Sequence, residues 1–447
     1  MRNLRKMPRK NTIFGDDSPN LMHNRKFTNP CLSMLVKHNI LLFVIVLCWI
    51  GCKNPSRKLT QQESLPAIDT LLEIAGKKGT GYAVNSLKFL DSATAGKKFT
   101  VKEKVRLYGY KEYMYNNYAN NLDSAQLFAD SMLLILQNKN QEKYKEEFAN
   151  AYFANGDILF RKKMYTESYA FYYKARQISN VYFDSCTLSE YSYRIGLILY
   201  RQSRFLESKN NFIQSFNESQ ACDSLDFAKY FRKQELLNAI ALCYLKTGNA
   251  DSADYYFNRT LEFIDQYKSN FIDRVALHEI AKGVVYGNLG DVLRVKGNLN
   301  GAAEMFKKSI TINLKPGYDI KDAQLSYLKL SDLWFAENKF DSAYNALLAI
   351  KKSLDSTANP RAVVDWNKQM WRYFDHQKNS TLAYIYLNNY IQKNEAYLNS
   401  TKSINEVDID KQIAFFEKQN ELQKLQNVSE LNKWYFLTFI VVVVLVV

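Results

Sequence analysis

The chain has 447 residues, with 60 Lys and Arg against 45 Asp and Glu, for a formal net charge of +15. With 47% apolar and 23% charged residues it is not wholly disordered. Its 16 Gly and 7 Pro are too few for an all-β sandwich or barrel, which needs a turn about every 8–12 residues. No Lys/Arg run is interleaved with aromatics, so the positive charge does not describe a nucleic-acid groove.

The first element in chain order is a basic leader. Residues 1–38 hold Arg2, Arg5, Lys6, Arg9, Lys10, Arg25, Lys26 and Lys37 against Asp16 and Asp17. The apolar run Ile40–Ile50 follows, too short to span a bilayer comfortably and of the size of a signal-peptide core. Met34 would begin a compact signal of this kind. The ending Trp49-Ile50-Gly51-Cys52 resembles a bacterial lipobox, in which a small residue precedes the Cys that takes the lipid, although Trp49 stands where Leu is usual. Lipidation at Cys52 is the leading expectation for residues 1–52, with simple cleavage, an uncleaved anchor or a buried helix as alternatives.

Residues 53–99 read as a linker and first helices. Gly76-Lys77-Lys78-Gly79-Thr80-Gly81 lacks the Lys-Ser/Thr that a phosphate-binding loop needs after its last Gly, and Gly96-Lys97-Lys98-Phe99 fails in the same way. His23, His38, His278 and His376 are scattered, with no metal-ligand spacing. No Gly-x-Ser-x-Gly elbow occurs. Neither an enzyme nor a cofactor site is expected.

From residue 100 to 395 the chain repeats. A small residue is followed 12 positions later by another, then 4 further on by a large apolar one: Gly156, Ser168, Tyr172; Gly196, Ser208, Phe212; Ala241, Ala253, Phe257; Gly290, Ala302, Phe306; Ser331, Ala343, Leu347; and, more weakly, Trp371, Ala383, Leu387. Three residues beyond each first position stands Leu159, Leu199, Tyr244, Leu293, Trp334 or Phe374. Such spacing describes a helical hairpin, with side chains of little bulk where two helices cross and large ones beside the crossing. Gly248 and Gly297 mark two of the turns. Asp-Ser-Ala at 123–125, 251–253 and 341–343 suggests that Asp or Ser caps each second helix.

These six copies resemble the tetratricopeptide repeat, over roughly residues 145–395, with a degenerate copy at 100–137. The resemblance implies an all-α fold, a right-handed solenoid of antiparallel helix pairs whose first helices line a concave surface that takes proteins or peptides. In frame, the groove residues are Phe153, Asp157, Phe160, Tyr193, Tyr200, Asp291, Arg294, Leu328, Asp332 and Phe335. Aromatics beside carboxylates suit a ligand with apolar and some cationic groups; packing between repeats is the other reading of several of these aromatics. Cys186 precedes the first helix of one hairpin and Cys222 follows its second, so the two thiols fall on one side and can pair in an oxidising compartment. Cys243 falls inside a helix, as a small buried residue would.

A polar stalk helix is expected over 396–433, its seam of Phe415, Leu422 and Leu425 allowing a homodimer. Residues 434–447 open with Trp434-Tyr435 and run on without charge, as a transmembrane helix does. At 1.5 Å per residue they cover about 21 Å of a core of roughly 30 Å, so the span reads as cut short. The order of signal, repeats, stalk and span resembles the sensor half of bacterial tetratricopeptide-repeat signal-transduction proteins, whose histidine kinase or helix-turn-helix output follows the span. The resemblance implies a location in the bacterial cell envelope, with the array in the periplasm and α-helical anchorage in the inner membrane. An envelope-tethered adaptor without signalling output is the alternative.

Overall fold

The computed structural model describes residues 68–78, 83–182, 185–222 and 226–446; the leader, the lipobox-like segment and Cys52 lie outside them. Within this range the chain winds through helices that pair as antiparallel hairpins: α1 (Ile68–Lys78) with α2 (Ala83–Thr94), α3 (Val101–Asn117) with α4 (Leu122–Leu136), and α5 (Lys145–Arg161) with α6 (Tyr165–Tyr182). Next come α7 (Ser185–Arg201) with α8 (Phe205–Glu218), α9 (Phe227–Lys246) with α10 (Ala250–Tyr267), and α11 (Val275–Val295) with α12 (Leu299–Asn313). The last pairs are α13 (Ile320–Ala336) with α14 (Phe340–Ser356) and α15 (Pro360–His376) with α16 (Ser380–Asn405), followed by the long α17 (Ile409–Val446). No strand occurs among the described residues. The array is a solenoid of helix pairs.

The crossing inside each hairpin explains the repeat. Ser168, Ser208, Ala253, Ala302 and Ala343 are fully buried, and Tyr172, Phe212, Phe257, Phe306 and Leu347 are at most 2% exposed. At two crossings the serine does more than stay small. Ser168 Oγ donates to the Gly156 carbonyl and Ser208 Oγ to the Gly196 carbonyl, both at 2.8 Å, across the gap a missing side chain leaves open. At the fifth the roles are exchanged, and Ser331 Oγ donates to the Ala343 carbonyl at 3.1 Å. The sixth copy is looser: Leu387 and Tyr390 are only half-buried, because no further hairpin covers that face.

The hairpins of the six repeat copies all turn in the same way. Lys163, Ser203, Gly248, Gly297, Asn338 and Lys378 have φ between 55° and 82°. The next residue's N–H then donates back to the carbonyl of Leu159, Leu199, Tyr244, Leu293, Trp334 or Phe374 at 2.8–2.9 Å. This is the six-to-one bond of a Schellman ending, which satisfies a carbonyl the helix leaves free. The caps correct the sequence reading. Asn121 and Asn249 accept from the N–H of Ser124 and Ser252, both at 3.0 Å, so Asn is the cap and Asp123 and Asp251 sit in the first turn, where the helix dipole favours a carboxylate. Lys339, at the equivalent place before Asp341, makes no side-chain cap.

A disulfide joins Cys186 to Cys222, closing the α7–α8 hairpin at its open end, and Cys243 is a buried free thiol. At the C-terminal end α16 runs on to Asn405, so residues 396–405 belong to the last hairpin and not to the stalk. A bend at 406–408 then starts α17, whose 38 residues would extend about 57 Å. Its last part is long and apolar enough to cross a membrane, with mean hydropathy 1.5 over 18 residues and none of that window buried.

Two outcomes follow from the packing. A Cβ at Gly196 would stand 2.6 Å from Phe212 Cδ1, so Gly196→Ala is expected to destabilise the fold by about 1–3 kcal/mol, seen as a lower urea midpoint at unchanged slope. The disulfide closes a loop across a separation of 36 residues, and the Cys186→Ala/Cys222→Ala variant is expected to lose about 3–4 kcal/mol in the same assay.

Candidate binding groove

The first helices of successive hairpins lie side by side, so a residue at one place in the frame faces its counterpart about 40 positions on. Acid and base alternate along this wall. Asp157 of α5 accepts from Arg194 of α7 through Nε at 2.8 Å and a terminal nitrogen at 2.7 Å, and from the Tyr172 hydroxyl at 2.8 Å. Arg194 also pairs with Glu190 at 2.7 Å, Glu190 with Arg232 of α9 at 3.0 Å, and Arg232 with Glu235 at 2.7 Å. Further along, Asp291 of α11 pairs with Lys329 of α13 at 2.7 Å and with Arg294 at 3.5 Å, and Asp332 of α13 pairs with Arg372 of α15 at 2.6 Å.

Arginines of this ladder, and Arg201 beside it, also lie over aromatic faces. Guanidinium carbons sit 4.2 Å from the Phe153 ring (Arg194), 3.7 Å from Tyr193 (Arg232), 4.5 Å from Phe160 (Arg201) and 4.7 Å from Phe335 (Arg372). This divides the residues expected in the groove. Phe153, Phe160, Leu328 and Phe335 are 3–9% exposed and belong to the packing between hairpins, with arginines covering the groove side of the three rings. They support the wall and cannot touch a ligand directly. Asp157, Tyr193, Tyr200, Asp291 and Arg294 are half-buried to exposed, and Asp332 is half-buried, so these remain on the surface of the wall. Arg194, Arg232 and Arg372, with Lys329, Glu190 and Glu235, stand outside the residues the frame marks. A signal exists in the frame: an acid follows the first small residue at Asp157, Asp291 and Asp332, and a cation precedes it by two at Arg194 and Lys329. Leu197 and Leu242 occupy the acid's place in the intervening copies and hide the ladder.

The wall from α3 to α9 carries Glu112, Asp157, Glu190 and Glu235. Glu190 and Glu235 keep about a third of their side-chain surface open (32% and 35%), with protein on every other side. Burial opposes ionisation of Glu190, but Arg232 and Arg194 outweigh it and hold its pKa down to about 2. For Glu235 burial prevails over Arg232 and the carboxyl is pushed up. Glu112 of α3 is 7% exposed, its one hydrogen bond among the described residues coming from Asn116 at 3.0 Å. Burial and then the Asp157 charge push it up to about 8, against the Asn116 bond, Arg194 and Arg161. Arg161 is committed elsewhere, to the Asn116 carbonyl and side chain and to Asn120. Tyr113 of α3 is half-exposed, yet surrounding protein, Tyr118 and the Glu235 charge all raise its hydroxyl, which places α3 within electrostatic reach of α9. Burial likewise pushes Tyr200 up to about 12. Three carboxyls, Asp157, Glu190 and Glu235, thus share two guanidiniums, Arg194 and Arg232, while Glu112 keeps its proton below about pH 8. No group of His, Cys, Asp and Glu among the described residues could hold a metal ion.

Glu112 gives this wall a pH dependence of definite sign. Its folded pKa of about 8 lies above the ordinary 4.5, so the folded chain keeps a proton that the unfolded chain releases. That contribution is full below about pH 4.5 and is lost as pH rises through 8. Urea midpoints at pH 5.5 and 8.5 are expected to fall more in the wild type than in Glu112→Gln, which has no carboxyl to ionise.

Neither a family model nor a curated protein matches the chain. Solved structures do. A Rap protein crystallised with competence and sporulation factor aligns at a TM-score of 0.50 and 15% identity, covering 80% of this chain and 98% of its own. The Rap conjugation gene regulator of plasmid pLS20, in complex with the Phr* peptide, aligns at 0.41 and 16%, covering 80% and 96%. A signal-transduction ATPase with a tetratricopeptide repeat sensor from Pyrococcus horikoshii aligns at 0.35 and 15%, covering 76% and 44%. The first likeness agrees with the hairpin frame, and the fold is a tetratricopeptide-like helical repeat.

Proposed function

We propose that this chain is a membrane-anchored binding protein whose array holds a protein or peptide with cationic and apolar groups, as the extracytoplasmic sensing part of a signal-transduction protein. The observation that carries the binding reading is the α3–α9 wall, where Asp157, Glu190 and Glu235 share Arg194 and Arg232 beside the half-exposed Tyr113 and half-buried Tyr193. Glu190 and Glu235 share Arg232 and keep about a third of their side-chain surface open to a cationic group, and tyrosines supply contact area at little entropic cost. The solved Rap protein held competence and sporulation factor, which agrees with a ligand of this kind on this fold. The apolar, unburied end of α17 supports anchorage. The Cys186–Cys222 bridge supports an oxidising compartment such as the periplasm.

The test is a selection of displayed random peptides on the full chain in detergent micelles. Enriched sequences are expected to carry Lys or Arg near aromatic or aliphatic residues. They are expected to bind Glu190→Gln or Glu235→Gln about tenfold more weakly, the loss of one charge-assisted contact. Peptides without basic residues, or equal affinity for both variants, would count against the reading.

A further inference from the structure

The bend that joins α16 to α17 does not hang free. It folds back about 200 residues along the chain onto the hairpin that carries the disulfide. Ile404 and Ile409 are 4% and 1% exposed, packed with Val407, Ile413 and Phe416 in one cluster with Tyr169, Tyr173, Tyr191, Ile195 and Leu199. Phe416 stacks on Tyr173 at 5.3 Å, whereas its neighbour Phe415 is 60% exposed. The α16 end leaves its last carbonyls without helical partners. Both hydrogens of the Gln202 amide fill that need, donating to the Ile404 and Val407 carbonyls, each at 2.8 Å. Arg204 pairs with Asp410 at 2.9 Å and Arg176 with Glu417 at 3.2 Å, so α6, α7 and the start of α8 all grip the bend.

The helix at the centre of this grip is α7, and it has two working faces. Glu190, Tyr193, Arg194 and Leu197 recur at helical spacing on one, which is the groove wall. Tyr191, Ile195 and Leu199, with Gln202 just past the helix end, lie on the other, about 145° round the axis, and hold the bend. The disulfide ties the start of α7 to the end of its own hairpin, so the dock has a fixed floor. The seal is incomplete: a cleft of about 290 Å³ lies beside the bend, lined by Asn180, Asn211, Gln214 and Glu218 as well as Ile409 and Ile413. A contact with a polar, partly open margin can part without stranding buried polar groups.

We propose that α7 couples the groove to the membrane-directed helix: a ligand that shifts the acid–arginine ladder on one face of α7 changes how firmly the α16–α17 bend is held on the other. The proposal deepens the binding reading and rests on it for its biological use. Coupling of two sites through one helix is reciprocal, so it can be read from the groove side without a ligand.

The experiment is amide hydrogen exchange on the full chain in detergent micelles. Phe416→Ala removes the stacked ring and sets the undocked value, with exchange over 404–417 rising at least about tenfold, while Phe415→Ala leaves it unchanged. Glu190→Gln, which weakens the ladder on α7, is expected to raise exchange over the same residues about threefold or more. Arg372→Ala, on a distant rung, is expected to leave it alone. Arg194→Ala serves as a stronger second variant on α7. If Phe416→Ala speeds exchange but neither α7 variant does, the dock is a static contact and the coupling is overturned. If Phe416→Ala and Phe415→Ala behave alike, there is no dock to couple. The peptide selection plays no part here, so either idea can fail without the other.

Discussion

Everything in this array depends on two helices approaching so closely at the crossing that only a small side chain, or none, fits between them. Gly156 and Gly196 give up their Cβ so that Tyr172 and Phe212 can lie across the gap, and a serine hydroxyl bonds the carbonyl this exposes. Dispersion and apolar burial then act over a short, dry contact. The polar groups inside it are satisfied rather than stranded. Because the same crossing recurs about every 40–49 residues, each hairpin is set on the last in a similar way, and the outer faces of the first helices fall into a row.

That row is where the chemistry collects. Acid on one helix meets a cation on the next, and the cation covers an aromatic ring that belongs to the core beneath. An arginine so placed has no freedom to follow a ligand, since its charge is matched and its plane is stacked. Between α3 and α9 Asp157, Glu190 and Glu235 share Arg194 and Arg232, and it is the open side of Glu190 and Glu235 that a cationic ligand would meet. On α7 the wall also becomes the reverse side of the dock for α17, so one helix carries both the recognition surface and the attachment of the segment leading to the apolar end.

The repeat itself was legible because its signal is steric: small, small and large residues at fixed spacing admit few other structures. The turns were half legible. Gly248 and Gly297 announced two of six identical endings and Asn338 hinted at a third, while Lys163, Ser203 and Lys378 adopt the same left-handed conformation with nothing in their identity to say so. The row of first helices was legible in position, but not which of its side chains stay on the surface. Phe153, Phe160, Leu328 and Phe335 were assigned to it by register, yet a side chain on the boundary between wall and core is claimed by whichever packs it more completely. The ladder was obscured because its partners lie some 40 residues apart and two copies carry Leu where the acid would stand. The docking of α17 had no sequence signal at all: Ile404, Ile409, Ile413 and Phe416 look like any amphipathic seam until the array curves back to meet them.

The central claim is that a cationic ligand lies against the inner wall. Carboxyl footprinting with a carbodiimide and glycine ethyl ester, read by mass spectrometry with and without a tightly bound basic peptide, tests it most directly. Glu190 and Glu235 should be protected by the peptide. Asp251 and Glu262 on the outer helix α10, with 95% and 69% of their side-chain surface open, should label equally in both samples. Protection of the α10 carboxyls with no change at Glu190 and Glu235 would contradict the account.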